Sequence, residues 1–459
     1  MSNNQINHFK TTISEKLLDV DFQNYFRKNI DYGLKQIEEG INQFDDIEGC
    51  RERLSFLKKR VLNNLDKYLL EFENKFIQNG GVVYWADSVN DISRILDEII
   101  PETPGIIVKS KSATCEEIQL KNFTNDKKHE LIETDLGDFI INQMEQKRSH
   151  NISPAIHLSK EKIIEFFNKS FGTNKEANAE EITDFVRKLL RTKFFNSSIG
   201  ISGANFVVAD TGSVVITENE GNASLVTSWP KKHIVIAGIE KLIPSIKDLY
   251  LFLPMLSSHS TGQKLSVYNH IISGPARNAE LDGPSEMAVI FINNNRHKLL
   301  EDIYLREALQ CIHCGTCYSV CPVFKRLSGQ AWLSVYNGPI GSVTYPHTCD
   351  NEENNFHLSY ASTLCGKCSN NCPVKIPIHD LLVYNRHLAI SNNLFTAKES
   401  RLIRMIIKRL KSRKSMDLWS YKIKDLAFKI MLRKSWLRHK SPVKFAEKSF
   451  NMIMTEKKK

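Results

Sequence analysis

Cys311, Cys314, Cys317 and Cys321 follow the spacing C-x2-C-x2-C-x3-C and are closed by Pro322. The block nearly repeats 51 residues further on as Ser362, Cys365, Cys368 and Cys372, with Gly366, Pro373 and Val374 matching Gly315, Pro322 and Val323. Thiolates at this density are soft ligands suited to iron–sulfur clusters, and clusters move single electrons. The short x2 steps let one loop wrap three corners of a cube, and the x3 step sends the fourth thiol the other way. In runs of this kind the last cysteine ligates the cluster of the other run. The expected ligands are therefore Cys311, Cys314, Cys317 and Cys372 for a first [4Fe–4S] cluster, and Cys321, Cys365 and Cys368 for a second.

Ser362 stands where the second cluster's fourth thiolate belongs. Three arrangements accommodate it. One is a [4Fe–4S] cube whose fourth iron takes water, Ser362 or an external group. Another is a [3Fe–4S] cluster, which needs three thiolates. The third recruits Cys349, 13 residues upstream in the polar stretch HTCDNEENN. Cys349 otherwise reads as an incidental exposed thiol, and His313 as an exposed loop residue rather than a ligand. A pair of zinc knuckles is the weaker reading of the pattern, because zinc sites favour paired C-x2-C without the extra cysteine and the Cys-Pro.

The elements around the cysteines are set by hydrophobic period. Residues 1–80 read as helical, with LEFENKFIQNGG placing Leu70, Phe72, Phe76 and Ile77 before the Gly80-Gly81 stop. VVYWA, GIIVKS and ELIET are expected strands, alternating with helices that begin at Asp87-Ser88, SATCEEIQL and DLGDFIINQM. That alternation argues for a parallel α/β domain over 81–295. ISGANFVVADTGSVVITENEGN reads as strands joined by tight glycine turns, and HIVIAGIEKLI, KLSVYNHIISGP and EMAVIFINN add three more strands. RHKLLEDIYLREALQ is expected to be one helix entering a ferredoxin-like domain over 300–395, interrupted by the Gly/Pro-rich insert SGQAWLSVYNGPIGSVTYP. Residues 396–459 form a basic helical tail.

The α/β domain carries weak candidates for chemistry. Lys109 and Lys111 flank Ser110 at a strand end, and the turn Thr211-Gly212-Ser213 could present N–H groups to an anion. Glu218 and Glu220, with His233 downstream, could share one cleft, where Glu218 would act as base or nucleophile. The plainer reading is favoured: solvated lysines and an ordinary turn. No Gly-rich dinucleotide fingerprint and no P-loop is present.

Net charge is +10, but residues 398–459 hold 20 Lys and Arg against 5 Asp and Glu, which leaves the rest of the chain at −5. In that tail Leu402, Ile406 and Leu410 recur at helical spacing among Arg401, Arg404, Lys408 and Arg409. Such a helix is a candidate for peripheral contact with an anionic membrane, for an acidic partner, or for the protein's own surface. No nucleic acid is expected, since no recognition motif accompanies the charge. Seven of the ten cysteines lie in the two runs, which points to metal binding in a reducing compartment. No secretory h-region and no long apolar span occurs, so a cytoplasmic protein is expected.

Several stretches together resemble the lactate utilization protein B family. They include FENKFIQNGGVVYWA, VKSKSATCEEI, GANFVVADTGSVVITENEGN, CIHCGTCYSVCPVF and YASTLCGKCSNNCPVKIPIHDLL. The resemblance runs from about residue 65 to 390, and the serine at position 362 fits its pattern. It implies a lactate-utilisation α/β domain similar to CoA-transferase and ribose-phosphate-isomerase folds, followed by a helical two-cluster domain. It further implies an electron-transfer subunit, with two [4Fe–4S] clusters, of a multi-protein system that oxidises L-lactate to pyruvate. Its partners would be the other subunits and a respiratory acceptor. The rival expectations are a catalytic α/β domain acting on another small hydroxy acid, and an iron–sulfur redox sensor.

Overall fold

The structure is a computed structural model that describes residues 3–457, apart from 279, 333, 350–354, 393–400, 402–403, 409–410, 433–440 and 443. Four helices come first: α1 (Asn3–Leu18), α2 (Val20–Ile41), α3 (Ile47–Leu62) and α4 (Leu65–Gln78). Asp19 and Asp46 cap α2 and α3 by accepting from Phe22 N and Gly49 N. In α4 the buried stripe is Leu65, Tyr68, Phe72 and Phe76. Leu70 and Ile77 face solvent, because they lie off the row that a 3.6-residue turn aligns with Phe72.

A six-stranded parallel sheet follows, in the order β1-β10-β7-β4-β2-β3. Its strands are β1 (Val82–Ala86), β2 (Ile106–Lys109), β3 (Glu130–Glu133), β4 (Ser197–Ser202), β7 (Lys232–Gly238) and β10 (Glu286–Ile292). The central β7 and β10 are buried almost throughout, as expected of parallel strands covered on both faces. Four strands form a second sheet, ordered β8-β5-β6-β9: β5 (Phe206–Val208), β6 (Ser213–Glu218), β8 (Leu242–Ile243) and β9 (Tyr268–Ile272).

The connecting helices are α5 (Val89–Ile99), α6 (Ala113–Glu117), α7 (Leu120–Asp126), α8 (Leu136–Gln143), α9 (Lys160–Phe171), α10 (Ala179–Phe195), α11 (Asn222–Ser228) and α12 (Leu249–Ser260). Ser88 and Asp91 close a reciprocal capping box at the start of α5. Gly200 lets α11 approach β4, since a Cβ there would lie 1.9 Å from Val226 O.

The expected single helix into the first cysteine is broken. It is helical over Arg296–Glu301 and 3-10 over Leu305–Gln310. Asp302 turns extended and accepts from Tyr304 N and Leu305 N, which starts the second segment afresh. The Gly/Pro-rich insert is also more ordered than its composition suggests: Gly338–Thr348 is a largely buried helix opened by Pro339.

Met1–Leu388 form one compact unit and Ala389–Lys459 a second. Within the first, the N-terminal helices are not a separate layer. Phe26, Ile30, Leu54 and Leu57 share one core with Phe324, Leu327, Val374 and Ile376 of the cysteine region. The second unit includes helices Arg413–Asp417, Tyr421–Leu432 and Phe450–Glu456. For the expected amphipathic tail helix, Arg401 and 404–408 are helical with Ile406 exposed, while Leu402, Arg409 and Leu410 lie outside the described residues. Among the described residues no helix is long and apolar enough to cross a membrane.

Phe72 is fully buried, stacked on Phe76 at 5.4 Å and edge-on to Phe291 of β10 at 5.3 Å. Phe72→Ala is expected to cost about 3–5 kcal/mol of stability, read from the urea midpoint of unfolding.

Candidate metal centre

The two cysteine runs fold as structural repeats. His313 and Leu364 adopt φ of 58° and 53°, and Gly315 and Gly366 φ of 79° and 75°. Each glycine then opens a one-turn helix, Thr316–Ser319 or Lys367–Asn370. In each run the fourth cysteine's N–H returns to the helix, Cys321 N to Tyr318 O and Cys372 N to Ser369 O, both at 3.1 Å. The correspondence extends to the broken position. His313 N donates to Cys311 Sγ at 3.3 Å, and Leu364 N donates to Ser362 Oγ at 3.1 Å. Ser362 therefore occupies the local position of Cys311 with oxygen in place of sulfur.

Cys311, Cys314, Cys317 and Cys372 line one small cavity walled by Ile312, Ile340, Val374, Ile376 and Ile378. Burial pushes the thiols of Cys311 and Cys372 up to about 12, with neighbouring thiols adding to the rise. Cys317 is held well above its ordinary value by burial and by Cys311, Cys314 and Cys372. Burial raises Cys368 to about 11, reinforced by Cys321 and Cys365. Cys365 is exposed and moves the other way: slight burial is outweighed by hydrogen bonds, that from Lys367 N first. No disulfide joins the seven.

This donor set fits iron–sulfur clusters. Crowded, buried sulfurs keep their protons unless positive charge replaces them, which is what bound iron supplies. A polynuclear cluster spreads its thiolates over the corners of a cube.

His313 is not the exposed loop residue expected. It turns inward, with Nε2 3.8 Å from Glu240 Oε1, and burial lowers its pKa to about 4. Burial opposes the charge of Glu240, but Arg296, 2.7 Å away, holds its carboxyl well below the usual range. Cys349 is half-buried at the end of helix Gly338–Thr348, where its Sγ accepts from Asn355 Nδ2 at 3.0 Å.

Two residues beside the loops carry no motif signal. Arg51 of α3 donates from Nε to Cys372 O at 3.0 Å and from a terminal nitrogen to Asn370 O at 2.8 Å. His150 packs edge-on to Tyr318 at 5.5 Å and sits under Gly315. A pairing 321 residues apart and an irregular loop leave no period to read.

Of the α/β candidates, Glu220 lies within electrostatic reach of Lys111 and Glu218, whereas His233 and the Gly212 turn stand apart. Glu218 accepts from Ala223 N, Ser224 N and His270 Nε2, which ties it to the start of α11 and to β9. Glu220 accepts from Leu136 N, and His233 contacts Ser202 at 2.8 Å inside the parallel sheet. The turn at Gly212 backs onto α4, where a Cβ would lie 2.5 Å from Phe76 N. His270 was not singled out because it reads as one more polar position in a strand.

Lys109 is not a solvated strand-end lysine. Lys111 is exposed, as expected, and pairs with Asp135 at 2.8 Å. Lys109 is 1% exposed and lies 2.8 Å from Glu133 and 3.2 Å from Glu116. Arg148 completes the group at 2.6 Å from Asp138 and 3.4 Å from Glu116. Two cations thus face three carboxylates. Burial, with repulsion from Asp138 and Glu116, raises Glu133 to about 7 against the pull of Lys109. Folded, Glu133 therefore keeps its proton up to about pH 7, whereas unfolded it loses it near 4.5. Its contribution is full below 4.5 and is lost as pH rises through 7, about 3 kcal/mol at most. Glu133→Gln is expected to remove that decline from the stability–pH curve. Lys109→Met, which strands the carboxylates, should cost about 3–5 kcal/mol at pH 7 in urea unfolding.

Comparison with known proteins adds family evidence to this geometry. Residues 69–292 match the LUD domain and residues 307–376 match a 4Fe-4S dicluster domain. The chain is 37% identical over 353 residues to lactate utilization protein B 2 of Bacillus mycoides (strain KBAB4), covering 77% of this chain and 74% of that protein. Identity and coverage are the same for lactate utilization protein B of Bacillus thuringiensis (strain Al Hakam). A solved duf162 family protein from Deinococcus radiodurans aligns with TM-score 0.28 and 9% identity, over 50% of this chain and 98% of that one. The chain belongs to the lactate utilization protein B family.

Proposed function

We propose that this chain is the iron–sulfur electron-transfer subunit of a multi-protein complex that oxidises L-lactate to pyruvate. The observation that carries the reading is the pair of thiol loops with matching backbone turns whose fourth cysteines cross. Cys372 of the second run lines the cavity of Cys311, Cys314 and Cys317, and Cys321 of the first is an electrostatic neighbour of Cys365 and Cys368. In this reading those two sets hold two [4Fe–4S] clusters, and Ser362 takes the place of a fourth thiolate at the second. The clusters would supply one-electron transfer.

The residues of the chain do the rest. Isoleucines and Val374 keep water from the first site, Arg51 fixes the carbonyl of Cys372, and Tyr318 packs beside it. Half-buried Lys241 and buried Lys58 oppose the build-up of negative charge at Cys311. The engagement of Glu218 with α11 and His270 supports a structural part for that carboxylate, which weakens the catalytic α/β alternative. The names of the relatives support lactate as the source of electrons and other lactate-utilisation proteins as partners. We place the protein in the cytoplasm, with the basic tail as its candidate contact with the membrane surface.

EPR of the anaerobically purified native complex, before and after L-lactate, tests this. New signals of reduced clusters are expected. Reduction by dithionite but not by lactate would remove lactate as the donor. Cys372→Ala should lower iron content from about eight to about four per chain and abolish the signal of the first cluster, although it lies in the second run.

A further inference from the structure

The two repeated loops are not equally covered. The first is capped by the α/β domain, since a Cβ on Gly315 would lie 2.9 Å from Ile152 and 3.3 Å from His150. Among the described residues the second has no such cap: a Cβ on Gly366 meets none of them within 4 Å, and Thr363, Cys365, Lys367 and Asn370 are exposed. One half of an internal repeat therefore presents to the outside the face that its twin buries.

The loop itself carries no acid. No Asp or Glu occurs between Glu353 and Asp380. Glu48 and Glu52 are engaged with Lys375, and Glu48 also with Arg51, while exposed Asp380 has the His379 ring as its neighbour at 3.5 Å. Lys367 is exposed and has no carboxylate partner among the described residues. Arg386 donates to Ser359 O and Ser362 O, and its guanidinium sits 4.9 Å over the exposed ring of Tyr360. Lys367 thus lies beside Cys365, the one exposed cysteine of the seven, while Arg386 and Tyr360 stand at Ser362, the start of the same run.

We propose that the face formed by Tyr360, Thr363, Cys365, Lys367 and Arg386 is the docking surface for an acidic one-electron carrier protein. The inference rests on the reading that Cys321, Cys365 and Cys368 hold a cluster. One electron crosses between that cluster and the partner's redox group, with no bond made or broken. Complementary charge speeds such an encounter and makes it salt-dependent. The partner covers the second loop as residues 150–152 cover the first.

The test uses the full-length, cluster-loaded protein. Iron, sulfide and EPR are measured first. The dithionite-reduced protein is then reoxidised in a stopped-flow with anionic hexacyanoferrate(III) and with cationic hexaamminecobalt(III). A salt-sensitive preference for the anion is expected, after allowance for the driving force of each oxidant. Lys367→Glu should cut the anion-to-cation rate ratio by about three- to tenfold while leaving the EPR spectra unchanged. In the native complex, amides of residues 362–371 should exchange more slowly than in the isolated chain. Intact clusters with an unchanged rate ratio in Lys367→Glu, or amides left unprotected in the complex, would overturn the docking surface alone. A wild-type chain that holds no second cluster would overturn the ligand assignment as well.

Discussion

Negative charge in an apolar interior must be matched at short range, and the arrangement of this protein follows from that. The cysteine loops crowd sulfurs into a space walled by isoleucine and valine, where thiolates are unstable without iron. Around that space the chain places two cations, buried Lys58 and half-buried Lys241, and the Glu240–Arg296–Glu117 chain beyond them. The same rule governs the second buried cluster of charges, at the carboxyl ends of β2 and β3. There two cations and three carboxylates balance when one carboxyl stays protonated.

Those requirements join parts of the chain that look separate. The six-stranded sheet supplies Glu240 after β7 and Glu117 after β2, and the helix after β10 supplies Arg296 to both. Tyr336, from the insert between the cysteine runs, donates to Glu117 at 2.7 Å. The α/β domain is thus keyed to the metal-binding part by ionised groups as well as by apolar packing. The N-terminal helices hold it from another side, through Lys325–Asp31, Lys375–Glu48 and Arg51.

What could be read without coordinates was whatever has a short period. Alternating apolar runs gave the strands and helices of the α/β domain, and Ser88 marked a helix start that proved to be a capping box. The 51-residue offset equated Ser362 with Cys311 correctly, because a repeat in sequence became a repeat in backbone. Interactions across long separations were not visible. Lys109 looked like a solvated strand-end lysine because its neighbours Glu133 and Glu116 come from other elements. Leu70 and Ile77 looked like partners of Phe72 until the helix was assigned a face. The break at Asp302 depends on a side chain bonding its own backbone, which hydrophobic spacing does not report.

The hydrogen bond from Arg51 to Cys372 spans 321 residues and has a temporal meaning. During synthesis at about 5–20 residues per second, α3 leaves the ribosome some 15–65 s before the carbonyl it will hold. Through that interval the apolar faces of α2 and α3, bearing Phe26, Ile30, Leu54 and Leu57, lack the residues that later cover them. The cysteine region, made later, meets that half of the core already present. Arg51 therefore waits for its two carbonyls until the second cysteine run has been made.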